Sequence, residues 1–289
     1  MATLQQPGLP PMARPLREAV DRVLGPGALP ARAHPGLVWD RYPRVWLPDR
    51  TPADSRRRKK WLDAFVTGFA GAGRAEKEEL EARLARLQAL SSASREFSCT
   101  GPLLLGAGAD HPTETGFSFD PVLGVPVLPG SSVKGLARAG ADLLDAPVEQ
   151  RDRILGTEHP GRAEGGPDKK APDKEVSSPG VVCFLDAWPS AWPTLRVDIL
   201  NPHHPMYYQD QARSLPGRRR RVADYTEEPK PVPFLAVEAG TRYRFHLRLR
   251  PGGRPQDLDL AWQWLQAGLE HLGIGAKTAA GYGHMTPVA

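Results

Sequence analysis

A glycine-rich segment near the C-terminus, Gly273–Gly283, combines the residue types that bind a phosphodiester backbone. Glycines let the backbone approach a phosphate closely, Lys277 can neutralise its charge, and Thr278 can donate a hydrogen bond. The alternative is a plain tight connection between a helix and an edge strand. A nucleotide-binding P-loop is excluded, because that motif has glycine where Ala276 and His271 stand and runs from strand to helix.

A second segment, Pro129–Arg138, has the composition of a helix start that faces an anion. The unpaired backbone N–H groups of a helix start attract negative charge, and Ser131 and Ser132 are good N-cap residues that add hydroxyl donors. Lys134 and Arg138 are four residues apart and therefore project from the same helix face. An ordinary N-cap with a solvated basic face is the alternative, and the residues alone leave both interpretations open.

A third segment, Asp198–Tyr208, contains an aspartate, two adjacent histidines and two adjacent tyrosines. Adjacent residues rarely face one site in a strand, and no Cys or paired carboxylate with ligand spacing lies nearby, so we expect no metal. Tyr207 and Tyr208 could stack on bases, although packing in a core or an interface is the alternative.

Catalytic motifs are missing from the sequence: it has no Gly-x-Ser-x-Gly elbow, no His-Glu-x-x-His and no dense acidic motif. Metal-independent RNA cleavage would need only a general acid or base. The histidines available for that role are His111, His203, His204, His246 and His284. Nothing in their spacing singles one out, so we expect no catalytic residue and no cofactor, with an endoribonuclease as the alternative.

The apolar pattern predicts helices and strands that alternate along the chain. Three helices are predicted. The first covers 76–90, and the second begins after Ser131–Ser132 and has on its apolar side Val133, Leu136, Ala137, Leu143 and Leu144. The third has an apolar stripe of Trp262, Leu265, Leu269 and Leu272. Strands are predicted at Leu103–Leu105, Val181–Leu185, Leu195–Leu200, Thr241–Arg250 and Tyr282–Val288.

The strand Thr241–Arg250 has the clearest alternation, with Tyr243, Phe245 and Leu247 among the residues that point one way. The residues predicted to point the other way are Arg242, Arg244, His246, Arg248 and Arg250. An outward basic row of this kind suits a sugar-phosphate backbone or an acidic neighbour, and a half-solvated sheet face is the alternative.

Two helices packed on one face of an antiparallel sheet predict an α+β, ferredoxin-like fold, the layout of the RNA recognition motif. We expect one such domain over 97–289, with insertions at about 145–180 and 201–240. Residues 1–96 are predicted to form an N-terminal helical extension with a helix at about 76–90. Its first part, 1–60, is predicted to be an extended arm with short helical pieces, because it is rich in Pro, Ala and Arg without a sustained period.

The composition of the 289-residue chain supports a packed core, with 40% hydrophobic and 25% charged residues. No apolar run approaches the roughly 18 residues of a membrane span, and the Pro-rich N-terminus predicts no signal peptide. Two cysteines cannot form a disulfide framework, so a cytoplasmic location is expected. The net charge of +5 includes the runs Arg56–Lys60 and Arg218–Arg221, which either attract polyanions or form a solvated surface.

Two of these segments together resemble the RAMP proteins of CRISPR systems. The first is the Pro-Gly-Ser-Ser-x-Lys-Gly motif at 129–135, which follows Gly106–Gly108 and Glu114–Phe117. The second is the glycine-rich segment Gly273–Gly283. Within that family, Asp198–Tyr208 looks most like the sixth subunit of the type III-B, or Cmr, effector complex. The resemblance covers about 97–288, and Ala276 departs from it, because another glycine is common at that position.

The resemblance implies a ferredoxin-like RAMP domain without catalytic activity, which holds the 3′ part of the guide RNA (crRNA) and its duplex with target RNA for antiviral defence. The implied partners are the backbone RAMP subunit, which would cleave the target, the small helical subunit and a neighbouring capping RAMP subunit. No membrane partner is expected. A purely structural end cap, whose basic faces bind acidic neighbours, is a further alternative.

Nine residues are the candidate RNA-binding set. Those carried over from the matching motifs are Ser131, Ser132, Lys134, Gly273, Gly275, Lys277 and Thr278. Arg138 is added because it shares a helix face with Lys134, and Tyr282 because it lies in the glycine-rich segment.

Overall fold

The structure is a computed structural model that describes residues 29, 33–45, 51, 53–157, 178–201 and 231–288. Several predicted features lie outside the described residues: His203, His204, Tyr207, Tyr208, the run Arg218–Arg221, and the central parts of both expected insertions.

The described residues form six α-helices and seven strands. The helices are α1 (Pro35–Arg41), α2 (Ser55–Ala70), α3 (Arg74–Leu90), α4 (Gly130–Leu143), α5 (Val148–Leu155) and α6 (Pro255–Ala267). The strands are β1 (Ala93–Cys99), β2 (Val182–Phe184), β3 (Trp188–Pro189), β4 (Leu195–Leu200), β5 (Val232–Val237), β6 (Arg242–Leu249) and β7 (Met285–Pro287). A π-helical turn, Gly268–Leu272, continues α6.

The chain divides into two compact units. The first contains the described residues within Met1–Ala72, Gly106–Gly124 and Thr194–Ala236, and the second those within Gly73–Leu105, Val125–Pro193 and Val237–Ala289. The sequence predicted a boundary at residue 96, whereas α3 groups with the strands that follow it.

The second unit is built on an antiparallel sheet with the strand order β2-β6-β1-β7, in which β3 also pairs with β6. Helices α4 and α6 pack against each other on one face of the sheet. The Phe97 ring on that face meets Phe245 edge to face at 5.3 Å and lies 6.5 Å from Trp262. Helices and antiparallel strands that share one core make the second unit an α+β structure.

Helix α3 contacts the central strand β6, and its Leu80 and Leu84 are buried. Its Arg83 guanidinium lies 5.1 Å from the ring of Trp188, and Trp188 pairs with Arg244 across β3 and β6. Cross-strand partners point to the same side of a sheet, so α3 lies over the side that carries Arg244. That side is opposite to Tyr243 and Phe245, because neighbouring residues of a strand alternate.

The first unit corrects the prediction of an extended arm, because Ser55–Ala70 is a 16-residue helix. Asp54 caps α2 by accepting a hydrogen bond from the Arg57 N–H at 2.8 Å. The apolar residues of this helix face the core with a helical period: Trp61, Leu62, Phe65 and Phe69 are all buried. Within the basic run Arg56–Lys60, Arg58 is also buried and pairs with Glu114, so this run is not a uniformly solvated cluster.

Two strand assignments from the sequence are wrong. Leu103–Leu105 is buried but forms only an isolated bridge, Leu103 to Val237, and the strand lies earlier, at Ala93–Cys99. Strand β5 occupies part of a segment that the sequence assigned to loop and insertion, and it pairs with β4 in a two-stranded sheet.

Candidate nucleic-acid interface

The N-terminal turn of α4 presents the first group of candidate residues. Val133, Leu136 and Ala137 are buried and hold the helix against the core. Ser131 and Ser132 are exposed, and Lys134 is half-buried beside them. The structure therefore places two hydroxyl groups and one ammonium group on the surface of a single helical turn.

The backbone of this turn has less capacity for an anion than the sequence suggested. The N-cap is Pro129, which has no side-chain donor or acceptor, and Gly130 N–H donates to the Asp186 carboxylate at 2.7 Å. Ser132 N–H and Val133 N–H both donate to the Pro129 carbonyl. Asp186 therefore occupies the positive end of the helix, which leaves the serine hydroxyls and Lys134 as the groups that can bind a phosphate.

Asp186 is a functional neighbour that the sequence did not reveal. It follows the predicted strand Val181–Leu185 as a lone aspartate, without a motif. Only the fold brings it to the first turn of α4, where a Cβ on Gly130 would overlap the Phe184 carbonyl. Glycine is thus required at position 130 because the backbone of Phe184 packs closely against it.

Arg138 does not share the position of Lys134. Its Nη2 donates to the Gly156 carbonyl at 3.0 Å, just beyond the end of α5. A guanidinium at a helix C-terminus satisfies an unpaired carbonyl and complements the negative end of the dipole. The contact gives Arg138 a structural role that the helix-face argument missed.

The glycine-rich segment Gly273–Gly283 is fastened to the chain that precedes it. Ile274 N–H donates to the Gly283 carbonyl at 2.9 Å and closes the segment on itself. Ala276 N–H donates to Leu104 and Gly283 N–H donates to Pro102, each at 2.8 Å. The buried residues Leu103–Leu105, which the sequence assigned to a strand, thus serve as the support for this loop.

The glycines of the segment satisfy its own packing. Gly273, Gly275, Gly281 and Gly283 all have positive φ angles, from 71° to 94°, which L side chains rarely adopt. A Cβ on Gly275 would lie 2.5 Å from the Leu104 carbonyl oxygen, and Gly273 is buried. The sequence interpreted these glycines as points of close approach to a phosphate, whereas Gly273 and Gly275 are the points where the protein backbone approaches itself.

Lys277 and Tyr282 are the charged and aromatic residues of the segment, and the two side chains contact each other. Lys277 has a left-handed backbone, with φ of 59°, and precedes the short 3₁₀ turn Thr278–Ala280. Its Nζ lies 5.4 Å from the centre of the Tyr282 ring, in a cation–π contact. The contact holds the ammonium group over the ring, and both residues are half-exposed.

His284 braces the two ends of the segment. Its Nδ1 lies 3.1 Å from the Glu270 carbonyl oxygen and its Nε2 lies 3.2 Å from that of Thr278. Both neighbours are carbonyl acceptors, so a ring N–H at either position has a hydrogen-bond partner. The sequence listed His284 as a general acid or base, and the structure gives it a positioning role.

The two candidate groups lie at the same end of one helix pair. A Cβ on Gly140 would overlap the Trp264 carbonyl, and a Cβ on Gly268 would lie 2.8 Å from Leu136. Gly140 thus lies beside Trp264, whereas Leu136, one turn nearer the N-terminus of α4, lies beside Gly268, one turn further toward the C-terminal end of α6. The first turn of α4 and the start of Gly273–Gly283 are thus adjacent ends of antiparallel helices.

The outward basic row predicted for β6 is wrong in its central part. His246 is 0% exposed, its Nδ1 lies 2.7 Å from Ser94 Oγ, and burial together with Arg244 lowers its pKa to about 4. Arg244 and Arg242 lie 3.3 and 3.6 Å from the Glu96 carboxylate. Helix α3 covers this face, so a nucleic acid could reach only the exposed ends of the row, at Arg242, Arg248 and Arg250.

The other described histidine of interest, His111, is also held in place. Its ring stacks on Trp39 with centres 4.1 Å apart, and its Nε2 lies 3.0 Å from the Trp39 carbonyl oxygen. Burial lowers its pKa to about 4, so the ring is neutral and donates from Nε2.

Among the residues that the structure describes, no group of three His, Cys, Asp or Glu could hold a metal ion. No described helix is both long and apolar enough to cross a membrane.

The sequence from residue 96 to residue 286 matches the RAMP superfamily. The chain belongs to the RAMP superfamily. The matched range begins in β1 and ends in β7, so it includes both α4 and the glycine-rich segment.

The chain is also similar to individual proteins and to solved structures. The chain is 28% identical to the CRISPR system Cmr subunit Cmr6 of Pyrococcus furiosus in an alignment of 246 positions that covers 69% of this chain and 69% of that one. It aligns with a chain in the cryo-EM structure of the type III-B Cmr-beta complex bound to cognate target RNA, with a TM-score of 0.53 and 18% identity, over 81% of this chain and 73% of the other. The crystal structure of P. furiosus Cmr6 aligns over 68% of this chain and 97% of that one, with 22% identity and a TM-score of 0.36.

Proposed function

We propose that this RAMP protein is a non-catalytic RNA-binding subunit of a type III-B CRISPR effector complex. It holds the 3′ part of the guide RNA and its duplex with target RNA by backbone contacts, in the cytoplasm, as part of antiviral defence. The observation that carries the proposal is that the first turn of α4, with Ser131, Ser132 and Lys134, and the start of the glycine-rich segment that contains Lys277 are adjacent ends of antiparallel helices.

Three features support this assignment. The order of strands and helices in the second unit, β1-α4-β2-β6-α6-β7 with the sheet order β2-β6-β1-β7, fits a ferredoxin-like domain with additions. The similarity to Cmr6 supports partners of the same complex: a backbone RAMP subunit, a small helical subunit and a neighbouring capping RAMP subunit. Hydroxyl and ammonium groups bind phosphates whatever the base, which suits a protein that leaves sequence reading to the guide.

The absence of catalysis is part of the proposal. Of the five histidines that could assist metal-independent cleavage, His246 is buried and His111 is half-buried against Trp39. His284 contacts carbonyls through both ring nitrogens. A general base needs a free lone pair within reach of the 2′-hydroxyl, which these arrangements do not offer. Purified chain incubated with repeat RNA without metal should leave the RNA intact, and a single defined cut that one His→Ala change abolishes would establish the endoribonuclease alternative.

The proposed RNA contacts are tested by Lys134→Ala and Lys277→Ala in the full-length chain. Each change should weaken binding to guide-length RNA regardless of its sequence and should lower the slope of log affinity against log salt by about one. Lys77→Ala, which removes an exposed lysine of α3, is the matched control and should leave affinity and slope unchanged. Unchanged affinity in both test variants would overturn the proposal.

A further inference from the structure

The corner between α4 and α5 exposes apolar side chains, two of which, Leu143 and Leu144, the sequence placed on the apolar side of a helix. Helix α4 ends at Leu143, so Leu143 and Leu144 leave the buried stripe and are 46% and 51% exposed. Val148, at the start of α5, is 55% exposed. We call these three residues, with the acidic residues around them, the α4–α5 corner. Clusters of this kind on a soluble protein are typical of interaction surfaces.

The corner is held rigidly in this exposed form. Arg151 of α5 pairs with Asp142 of α4 and joins the two helices. Asp145 turns the chain with φ of 50°, and Ala146 N–H returns to the Ala141 carbonyl at 2.9 Å. Farther along α5, Arg153 Nη2 lies 2.9 Å from the Asp257 carboxylate at the start of α6. A partner would therefore meet a preformed surface and would not have to order it.

The electrostatics of the corner select the class of partner. Asp145 and Glu149 are exposed and have no ion-pair partner among the described residues, and the C-terminal end of α4 adds partial negative charge. The local sign is thus opposite to that of the whole chain, which carries +5. Phosphates of RNA and anionic lipid headgroups would be repelled here, whereas a protein surface with an apolar pocket and Lys or Arg at its rim is complementary.

We infer that the α4–α5 corner is a docking surface for a neighbouring protein subunit that presents an apolar pocket rimmed by Lys or Arg. The inference rests on the proposed function for the identity of the neighbours, as subunits of the same complex. It assigns the two ends of α4 to different ligands: Ser131–Lys134 to RNA, and Leu143–Leu144, about 20 Å along the helix axis, to protein.

The direct test uses the full-length chain co-expressed with the other subunits and recovered after nuclease treatment. The double change Leu144→Ser with Val148→Ser should reduce recovery of one neighbouring subunit by roughly tenfold, because the partner would no longer bury the apolar surface of these two side chains. Glu149→Lys should reduce it as well, through charge. The matched controls are Val122→Ser, at a residue 63% exposed elsewhere, and Glu81→Lys, on the exposed side of α3. Wild-type recovery with both corner variants would overturn the inference.

A second measurement separates this inference from the proposed function. The corner variants should bind guide-length RNA as the wild type does, whereas Lys134→Ala and Lys277→Ala should lose RNA affinity and keep the neighbour through the corner. A photoreactive phenylalanine analogue at position 144 should crosslink to an apolar peptide with adjacent Lys or Arg in one neighbouring subunit. Crosslinks to RNA, or none to protein in the assembled complex, would contradict a protein-docking corner even if the RNA proposal holds.

Discussion

His111 and His246 show how burial decides the role of a residue that sequence alone presents as chemistry. Each was a candidate acid or base in the sequence, yet His246 is fully buried, His111 stacks on Trp39, and each has a pKa lowered to about 4. The cause is desolvation of the charged form, which for His246 is reinforced by Arg244. Both side chains are therefore neutral structural groups in the folded protein at neutral pH.

These two histidines predict a loss of stability in mild acid. In the unfolded chain a histidine binds a proton near pH 6.5, whereas the folded chain takes it up only near pH 4. Between those values the unfolded state binds more protons, so the free energy of unfolding falls as pH falls through this window. The expected loss is about 2 to 3 kcal/mol for each histidine between pH 7 and pH 4.5.

The measurement is urea unfolding of the full-length chain at those two pH values. His246→Leu should show a smaller difference between them by about 2 to 3 kcal/mol, because the titrating group is gone. His271→Gln, at an exposed histidine, serves as the control and should keep the wild-type difference. A His246→Leu chain with an undiminished acid loss would show that His246 is not buried as a neutral group.

At the scale of elements, the interhelical contact between α4 and α6 positions the candidate site. Gly140 and Gly268 let the two backbones approach closely, because a Cβ at Gly140 would overlap the Trp264 carbonyl. This contact fixes the register that brings the first turn of α4 to the glycine-rich segment. Gly135 lies on the same helix, but a Cβ there would meet nothing within 4 Å.

The two glycines of α4 therefore predict opposite effects of the same substitution. Gly140→Ala should destabilise the protein by about 3 kcal/mol, because packed backbones must separate. Gly135→Ala should be neutral or stabilise it by up to about 1 kcal/mol, since alanine is the better helix former. Thermal or urea unfolding of the two variants checks the difference, and equal effects would contradict the close contact between the helices.

The sequence predicted elements well where one face is buried and the other is solvated. The helix of 76–90, the stripe with Trp262 and Leu265, and the strand Thr241–Arg250 have clear periods, and each corresponds to an observed element. Strand β1 was misplaced because the side of it that α3 covers carries polar residues. Ser94 and Glu96 contact His246 and Arg244 there, so the strand has few apolar residues to reveal it. Leu103–Leu105 has a stronger signal, but buried backbone there supports a loop.

The candidate site was predictable only in part. The motifs identify Ser131, Ser132 and Lys277 as exposed or half-exposed groups, because exposed polar residues beside glycine and proline are visible in sequence. The partners that limit the site, Asp186 at the start of α4 and Gly156 at Arg138, are distant in sequence and have no motif. Their roles depend on how the strands and helices assemble, which periodicity does not encode.

At the scale of the whole molecule, the charges are arranged for two kinds of neighbour. The chain carries +5, and Lys134 and Lys277 belong to the two segments that meet at one end of the helix pair. At the other end of α4, Asp145 and Glu149 are exposed close in sequence to exposed apolar residues. Attraction of RNA weakens with salt, whereas apolar docking does not. Raising the salt concentration should therefore release RNA from the isolated chain more readily than it releases the subunit bound at the corner.

The central claim, that the first turn of α4 and the glycine-rich segment bind RNA together, is tested most directly by crosslink mapping in the assembled complex. The complex is purified with its native guide, crosslinked by ultraviolet light, and the modified peptides of this subunit are identified. The account predicts crosslinks at or beside Lys134 and within 273–283. If the subunit is present in the complex and neither segment is crosslinked, both segments are structural and the chain is a protein-bound cap.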